Sequence, residues 1–156
     1  MTSEITFRSI PFGSADYDQE CRLRNEVLRR PLGLDLFAED LAAEREQQHF
    51  GLFDASGRIV ACVIAVPQSP TKAKIRQMAV DPSRQRQGLG QRLLRAVEEQ
   101  LCEAGVERTS LHARVEAVPF YRSLGYAVVG EEFIEVGIPH LAMEKTIRGD
   151  GAASME

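Results

Sequence analysis

The stretch from Ile75 to Leu101 leaves this chain the fewest choices. It opens on a run, Ile75 to Val80, that predicts a strand, and Asp81-Pro82 ends it. Proline cannot donate to a ladder and pushes the residue before it toward extended geometry. Leu89, Leu93, Val97 and Leu101 then recur every four residues, with Leu94 on the same face, which predicts an amphipathic helix. Gly88 and Gly90 stand where the loop enters that helix. Glycine accepts unusual dihedrals there and lets a bulky group approach the backbone. The first N–H groups of a helix lack intrahelical partners and carry the positive end of its dipole, so the spot suits a phosphate. Arg84, Arg86, Arg92 and Arg95 flank it. A solvated helix with arginines on its outer face has the same spacing, and spacing alone leaves both readings open. A Walker loop is excluded, because no Gly-Lys-Ser/Thr follows. A dinucleotide fingerprint is a poor match, because Leu93 stands where a third glycine belongs and the stretch is not near the start of a βαβ unit.

With 156 residues, the chain has the size of one domain with one core. Its formal charge of −4 argues against a general nucleic-acid or anionic-membrane surface, so the basic cluster is local. Three scattered cysteines, Cys21, Cys62 and Cys102, have no ligand spacing, which fits a reducing compartment without structural zinc. The longest apolar run, Ile59 to Val66, is too short to span a bilayer. Glu4 and Arg8 interrupt any signal-peptide core, and a cytoplasmic location is expected.

In chain order, residues 5–10 predict a first strand and residues 16–29 a helix, interrupted by Pro31-Leu32-Gly33. A second short helix is expected over 38–47, with Leu32, Leu34, Leu36 and Phe37 exposed in the break before it. Strands are expected at 49–54 and 58–66. The second is almost wholly apolar and therefore central, covered on both faces. Pro67 to Pro70 turn the chain into the strand feeding the glycine loop. After the long helix, Ala104-Gly105 supplies a stop. A strand at 109–113, a short helix at 116–124 and an antiparallel pair at 126–135 and 139–147 complete an α+β domain on a mixed sheet. Residues 148–156 read as a flexible tail.

Three segments together resemble the GNAT superfamily of acyl-CoA-dependent N-acetyltransferases. Gln85-Arg86-Gln87-Gly88-Leu89-Gly90 follows Met78-Ala79-Val80 as that family's Gln/Arg-x-x-Gly-x-Gly/Ala loop follows its strand. Ala117 to Tyr126 fits Ala-x-x-Phe-Tyr-x-x-Leu-Gly-Phe/Tyr. Gly137-Ile138-Pro139-His140 with Met143 is an ending common among small bacterial members. The resemblance implies one GNAT domain over 1–147: a mostly antiparallel mixed sheet, splayed at the acetyl-CoA strand and flanked by about four helices. It implies acetyl transfer from acetyl-CoA to a primary amine by direct attack in a ternary complex, without a metal, and allows a homodimer.

The same resemblance implies site roles. Backbone groups of Met78, Ala79 and Val80 would hold the pantetheine arm, and the Met78 N–H would also face the oxyanion. Gln85, Arg86, Gln87, Gly88, Leu89, Gly90 and Gln91 would cradle the pyrophosphate. Tyr121 would donate a proton to the departing thiolate. Where many members have asparagine seven residues before this tyrosine, this chain has Arg114, which could reach the cofactor's phosphates or point to solvent.

The chemistry also needs a base, because an alkylamine with a reference pKa near 10 arrives as ammonium at neutral pH. Candidates are His112, Glu132, Glu135 and His140. Glu132 and Glu135, three apart on a strand, point to opposite faces, so at most one faces a given pocket. Segment 29–40 and the last strand pair are expected to wall the acceptor pocket, where Asp35, Glu132 and Glu135 would suit a cationic amine. A catalytically silent acyl-CoA sensor is the alternative from another class, and an ordinary nucleotide-binding domain is a third.

Overall fold

Alternating apolar residues make the strands, and a period near four makes the long helix. The computed structural model describes residues 4–147. The tail expected at 148–156 lies outside the described residues. The strands are β1 (Thr6–Ser9), β2 (Gln48–Phe53), β3 (Ile59–Ser69), β4 (Lys72–Val80), β5 (Arg108–Arg114), β6 (Ala127–Glu135) and β7 (Ile138–Thr146). The α-helices are α1 (Ala15–Arg24), α2 (Leu89–Glu103) and α3 (Val118–Ser123). The sheet runs β1-β2-β3-β4-β5-β7-β6, and its one recorded parallel pair, β4 with β5, makes it mixed and mostly antiparallel as expected. Among the described residues no helix is long and apolar enough to cross a membrane.

Two compact units share β4 and α2. Met1–Val66 with Gln77–Val97 form one, and Pro67–Arg76 with Glu98–Glu156 the other. In the first, Ile59 to Ala65 of β3 are all buried, as an unbroken apolar strand requires. β2 pairs with β3 only as far as Ala65, so Pro67 falls beyond that ladder and the strand continues to Ser69, past the expected break. Ile10, Tyr17, Cys21, Leu23, Leu36, Phe53, Cys62 and Ala79 pack into one core cluster. Leu36 is fully buried, contrary to the expectation of exposure, whereas Leu34 and Phe37 are exposed. In the second unit, Ala73 and Ile75 of β4, Leu111 and Ala113 of β5, and Met143 of β7 are buried.

The segment 25–47 departs from the sequence reading. After α1 the chain continues as a π turn over Asn25–Arg29 and a 3-10 turn over Arg30–Leu32, closed by Gly33 at φ +74°. The helix expected over 38–47 is replaced by two 3-10 turns, Leu36–Ala38 and Ala42–Glu46. Two acidic side chains explain this. Asp35 accepts from the Phe37 N–H and Asp40 from the Ala42 N–H, local turns that compete with a continuous helix.

That segment also brings Glu44 into a buried charge network. Arg24 donates from Nη1 to Glu20 at 2.9 Å and to Glu44 Oε1 at 2.8 Å, and from Nη2 to Glu44 Oε2 at 2.6 Å. The Tyr17 hydroxyl donates to Glu44 at 2.7 Å. His49 Nε2 lies 2.9 Å from the Glu44 carbonyl, which can only accept, and Nδ1 lies 2.9 Å from the Glu20 carboxylate. Both ring nitrogens therefore carry hydrogen, and His49 is a buried imidazolium. Two cations then balance two carboxylates. Glu20, Glu44 and His49 bring ligand atoms within 4.8 Å of one another, as a metal site would. The donor set is engaged instead by the guanidinium and by the ring's own hydrogens.

Candidate active site

The first unit carries the glycine turn. Asp81 fixes its start: the carboxylate accepts from the N–H and hydroxyl of Ser83, each at 2.9 Å, and pairs with Arg58 at 3.2 Å. The Asp81 N–H donates to the Val60 carbonyl at 2.9 Å, anchoring the turn to the central strand. Gln85 reaches back to the Val80 carbonyl at 3.3 Å. Arg86 has φ +68° and Gly88 φ +75°, while Leu89 and Leu93 bury the apolar face of α2. Left-handed residues alternating with ordinary ones turn successive N–H groups to one side, an anion-binding concavity.

The first α2 bond runs from the Arg92 N–H to the Gly88 carbonyl, so the amides of Leu89, Gly90 and Gln91 precede the ladder. A Cβ placed on Gly88 would meet nothing within 4 Å, so the concavity is open. These features fit a pyrophosphate. The flanking arginines are not equivalent: Arg84 pairs with Asp54 at 3.6 Å and Arg92 donates to the Ile5 carbonyl at 2.9 Å, whereas Arg86 and Arg95 are exposed.

β4 changes character just before this turn. Its recorded pairing with β5 covers Lys72 to Ile75 and stops. Gln77 has φ +60°, a costly conformation for a side chain with a Cβ, and its Oε1 is buried without a hydrogen-bond partner. Met78 and Val80 flank buried Ala79 and are half-buried. Backbone strain and an orphaned polar atom fall on the segment expected to lend main-chain groups to an extended ligand arm.

The second unit carries the titratable candidates. His112 on β5 and Glu135 on β6 meet, with Nδ1 2.8 Å from Oε1. A carboxylate accepts, so Nδ1 carries the hydrogen and the Nε2 lone pair is left for a substrate proton. Lys74 Nζ lies 3.5 Å from the same Nδ1; both atoms donate, so the ammonium answers to the Glu135 charge. Partial burial works against ionisation of Glu135, but the His112 hydrogen bond, with His112, His140 and Lys74 close by, holds its carboxyl below the usual range. His140 is buried, donates through Nδ1 to the Ile138 carbonyl at 2.8 Å, and stacks on Phe133, whose ring meets His112 edge-on. Glu132 is exposed and lies in the register shift between Val129 and Phe133, apart from this group. Asp35, in the other unit, serves as a cap.

Tyr121 sits on α3 with Phe120 edge-on at 5.0 Å and Tyr126 at 6.0 Å. Burial pushes its phenol up to about 12, so it is protonated throughout the neutral range. Pro119 in the first turn of α3 is helix-compatible, since that N–H would lack a partner anyway. Tyr126 is structural: its hydroxyl bridges Thr109 and Glu98, each at 2.8 Å. Arg114 ends β5 opposite His140. Lys74 was missed in the sequence. Its signal was the alternation of Lys72, Lys74 and Arg76 against buried Ala73 and Ile75.

A family profile described as an acetyltransferase (GNAT) domain matches residues 18–147. An uncharacterised N-acetyltransferase of Bacillus subtilis, YjcF, is 30% identical over 124 residues, covering 79% of this chain and 87% of that protein. A crystal structure from Lactobacillus plantarum superposes with a TM-score of 0.81 at 21% identity, over 94% of this chain and 99% of that one. A GNAT family acetyltransferase from Elizabethkingia anophelis with acetyl-CoA bound gives a TM-score of 0.68 at 15% identity, over 91% and 97% of the two chains. At such identities the two structures speak to the fold.

Proposed function

Because this chain belongs to the GNAT acetyltransferase family, we propose that residues 1–147 act as one domain that moves an acetyl group from acetyl-CoA to a primary amine. The observation that carries the reading is the open turn at 86–91, where two left-handed residues and the α2 amides form a cradle fit for a pyrophosphate. In this reading the main chain of Met78 to Val80 holds the pantetheine arm and the Met78 N–H faces the developing oxyanion. The amine is first deprotonated by His112 Nε2, oriented by Glu135. Its nitrogen lone pair then forms the bond to the thioester carbonyl carbon. Collapse breaks the carbon–sulfur bond, and the sulfur leaves with the proton of Tyr121. No step calls on the buried network around Arg24.

Two measurements test this. Gly88→Val places a side chain in the cradle, and its Cβ meets no protein atom within 4 Å. The strain of a left-handed valine costs the fold only about 1–2 kcal/mol. CoA affinity by calorimetry is expected to fall about tenfold or more, roughly 1.4 kcal/mol. Unchanged affinity would remove the cradle. Separately, Glu135→Gln and His112→Gln are each expected to lower the turnover of an amine by about tenfold or more at neutral pH. The deficit should shrink as pH approaches the amine's own reference value near 10, where no base is needed. A deficit independent of pH would reject the base assignment. Thiol release from acetyl-CoA across amines separates this enzyme from a silent CoA sensor, which binds CoA and releases none.

A further inference from the structure

One face of the second unit's sheet is basic in a chain of net charge −4. Strand alternation and register define it. Lys72, Lys74 and Arg76 of β4 share the side of Arg108, His112 and Arg114 of β5, with Lys72 directly beside Arg108. The opposite side holds the buried Ala73, Ile75, Leu111 and Ala113. β7 and β6 add only Glu144 and Glu135 as carboxylates at the registered positions of this face. Arg108 lies 3.8 Å from Glu144, and Glu135 is taken by His112. Lys74, Arg76 and Arg114 are thus left half-buried on the face that carries the His112–Glu135 pair, and that face has a surplus of positive charge. Burial depresses the Lys74 ammonium; the Glu135 charge offsets part of this, and the Arg76 charge adds a smaller push in the same direction as burial.

We infer that the acceptor is an amine that also carries an anionic group, a carboxylate or phosphate close to the reacting nitrogen, and not a polycation. This rests on the reading that His112 and Glu135 receive the amine. An amine bound there brings its own positive charge beside Lys74 until it is deprotonated. A second ammonium on the same molecule adds repulsion, whereas an anion between Lys74, Arg76 and Arg114 relieves it. Asp35, Glu132 and Glu135 would suit a cationic acceptor; the basic face set by the register of β4 and β5 favours an anionic group instead.

Three amines with one four-carbon chain isolate the tail charge: 4-aminobutyrate, butylamine and 1,4-diaminobutane. With the intact protein and saturating acetyl-CoA, kcat/KM by thiol release is expected to fall in that order, by about tenfold between the ends. In Lys74→Gln/Arg76→Gln the spread between the three amines should contract several-fold, and the CoA dissociation constant should not move. A reversed or flat order overturns the inference and leaves acetyl transfer standing, as does an order that survives the double variant unchanged. A loss of CoA affinity in the double variant assigns these cations to the cofactor's phosphates and overturns it too. If CoA binds and no amine of any tail charge releases thiol, the acetyl-transfer reading itself falls and takes the inference with it.

Discussion

Tyr121→Phe is expected to lower turnover by about one to three orders of magnitude while CoA affinity stays within about twofold. The variant keeps what packs: the aromatic ring against Phe120 and Tyr126, and the main-chain carbonyl that accepts from the Leu124 and Tyr126 N–H groups. It removes only the hydroxyl. That hydroxyl holds its proton at neutral pH, because burial pushes it up to about 12. As an acid toward a thiolate with a solution value near 8.5 it looks too weak. Desolvation raises the thiolate's proton affinity as well, so the gap narrows where the transfer occurs. In the proposed reaction both sides of that transfer would be shifted in the same direction by one low-dielectric environment. Stopped-flow and steady-state rates with one amine decide the matter. A variant that turns over like the parent rejects Tyr121 as the acid and points to water as the proton source.

Much of this architecture was legible because two periods dominate it. The four-residue ladder Leu89-Leu93-Val97-Leu101 fixed α2 to its ends, and all four side chains are buried. The unbroken run Ile59 to Ala65 marked the central strand for the same reason, since only a strand covered on both faces tolerates it. The glycine turn was legible in its place between β4 and α2, where Gly88 adopts φ +75°. What failed was governed by single side-chain hydrogen bonds or by backbone dihedrals that composition does not report. Asp35 and Asp40 broke the expected helix into 3-10 turns by capping their own neighbours. Gln77 adopts φ +60° although glutamine carries no turn signal. Glu135 could be placed on one face by parity. Its meeting with His112 depends on the register shift between Val129 and Phe133, with Gly130 at φ +84°, which no alternation pattern specifies. The Arg24 network was invisible for a related reason. Glu20 and Arg24 read as an ordinary solvated i,i+4 pair, until Glu44 and His49 are folded over them.

That network is where a single substitution should cost the fold most. Arg24→Met removes the guanidinium that donates to both Glu20 and Glu44, leaving two buried carboxylates to share one imidazolium. Breaking a buried pair on one side typically costs about 3–5 kcal/mol, because an uncompensated charge stays in the interior. For a chain of this size that is a drop in Tm of roughly 6–20 °C. Adding Glu44→Gln to Arg24→Met should recover part of the loss, since it withdraws the orphaned charge.

The pH dependence gives a second reading. Burial alone would lower the His49 value, but the Glu20 hydrogen bond and charge outweigh it and raise it. Its contribution is therefore fully present below the unfolded value near 6.5 and is lost as pH rises through the higher folded value. Glu44 runs the other way: burial opposes ionisation, the Arg24 and Tyr17 hydrogen bonds overcome it, and its contribution is lost as pH falls below the ordinary carboxylate range. The parent should therefore lose stability at both ends, and His49→Gln should flatten the alkaline side. An Arg24→Met protein within about 1 kcal/mol of the parent would mean that the carboxylates are protonated in the fold and that the ion-pair description is wrong.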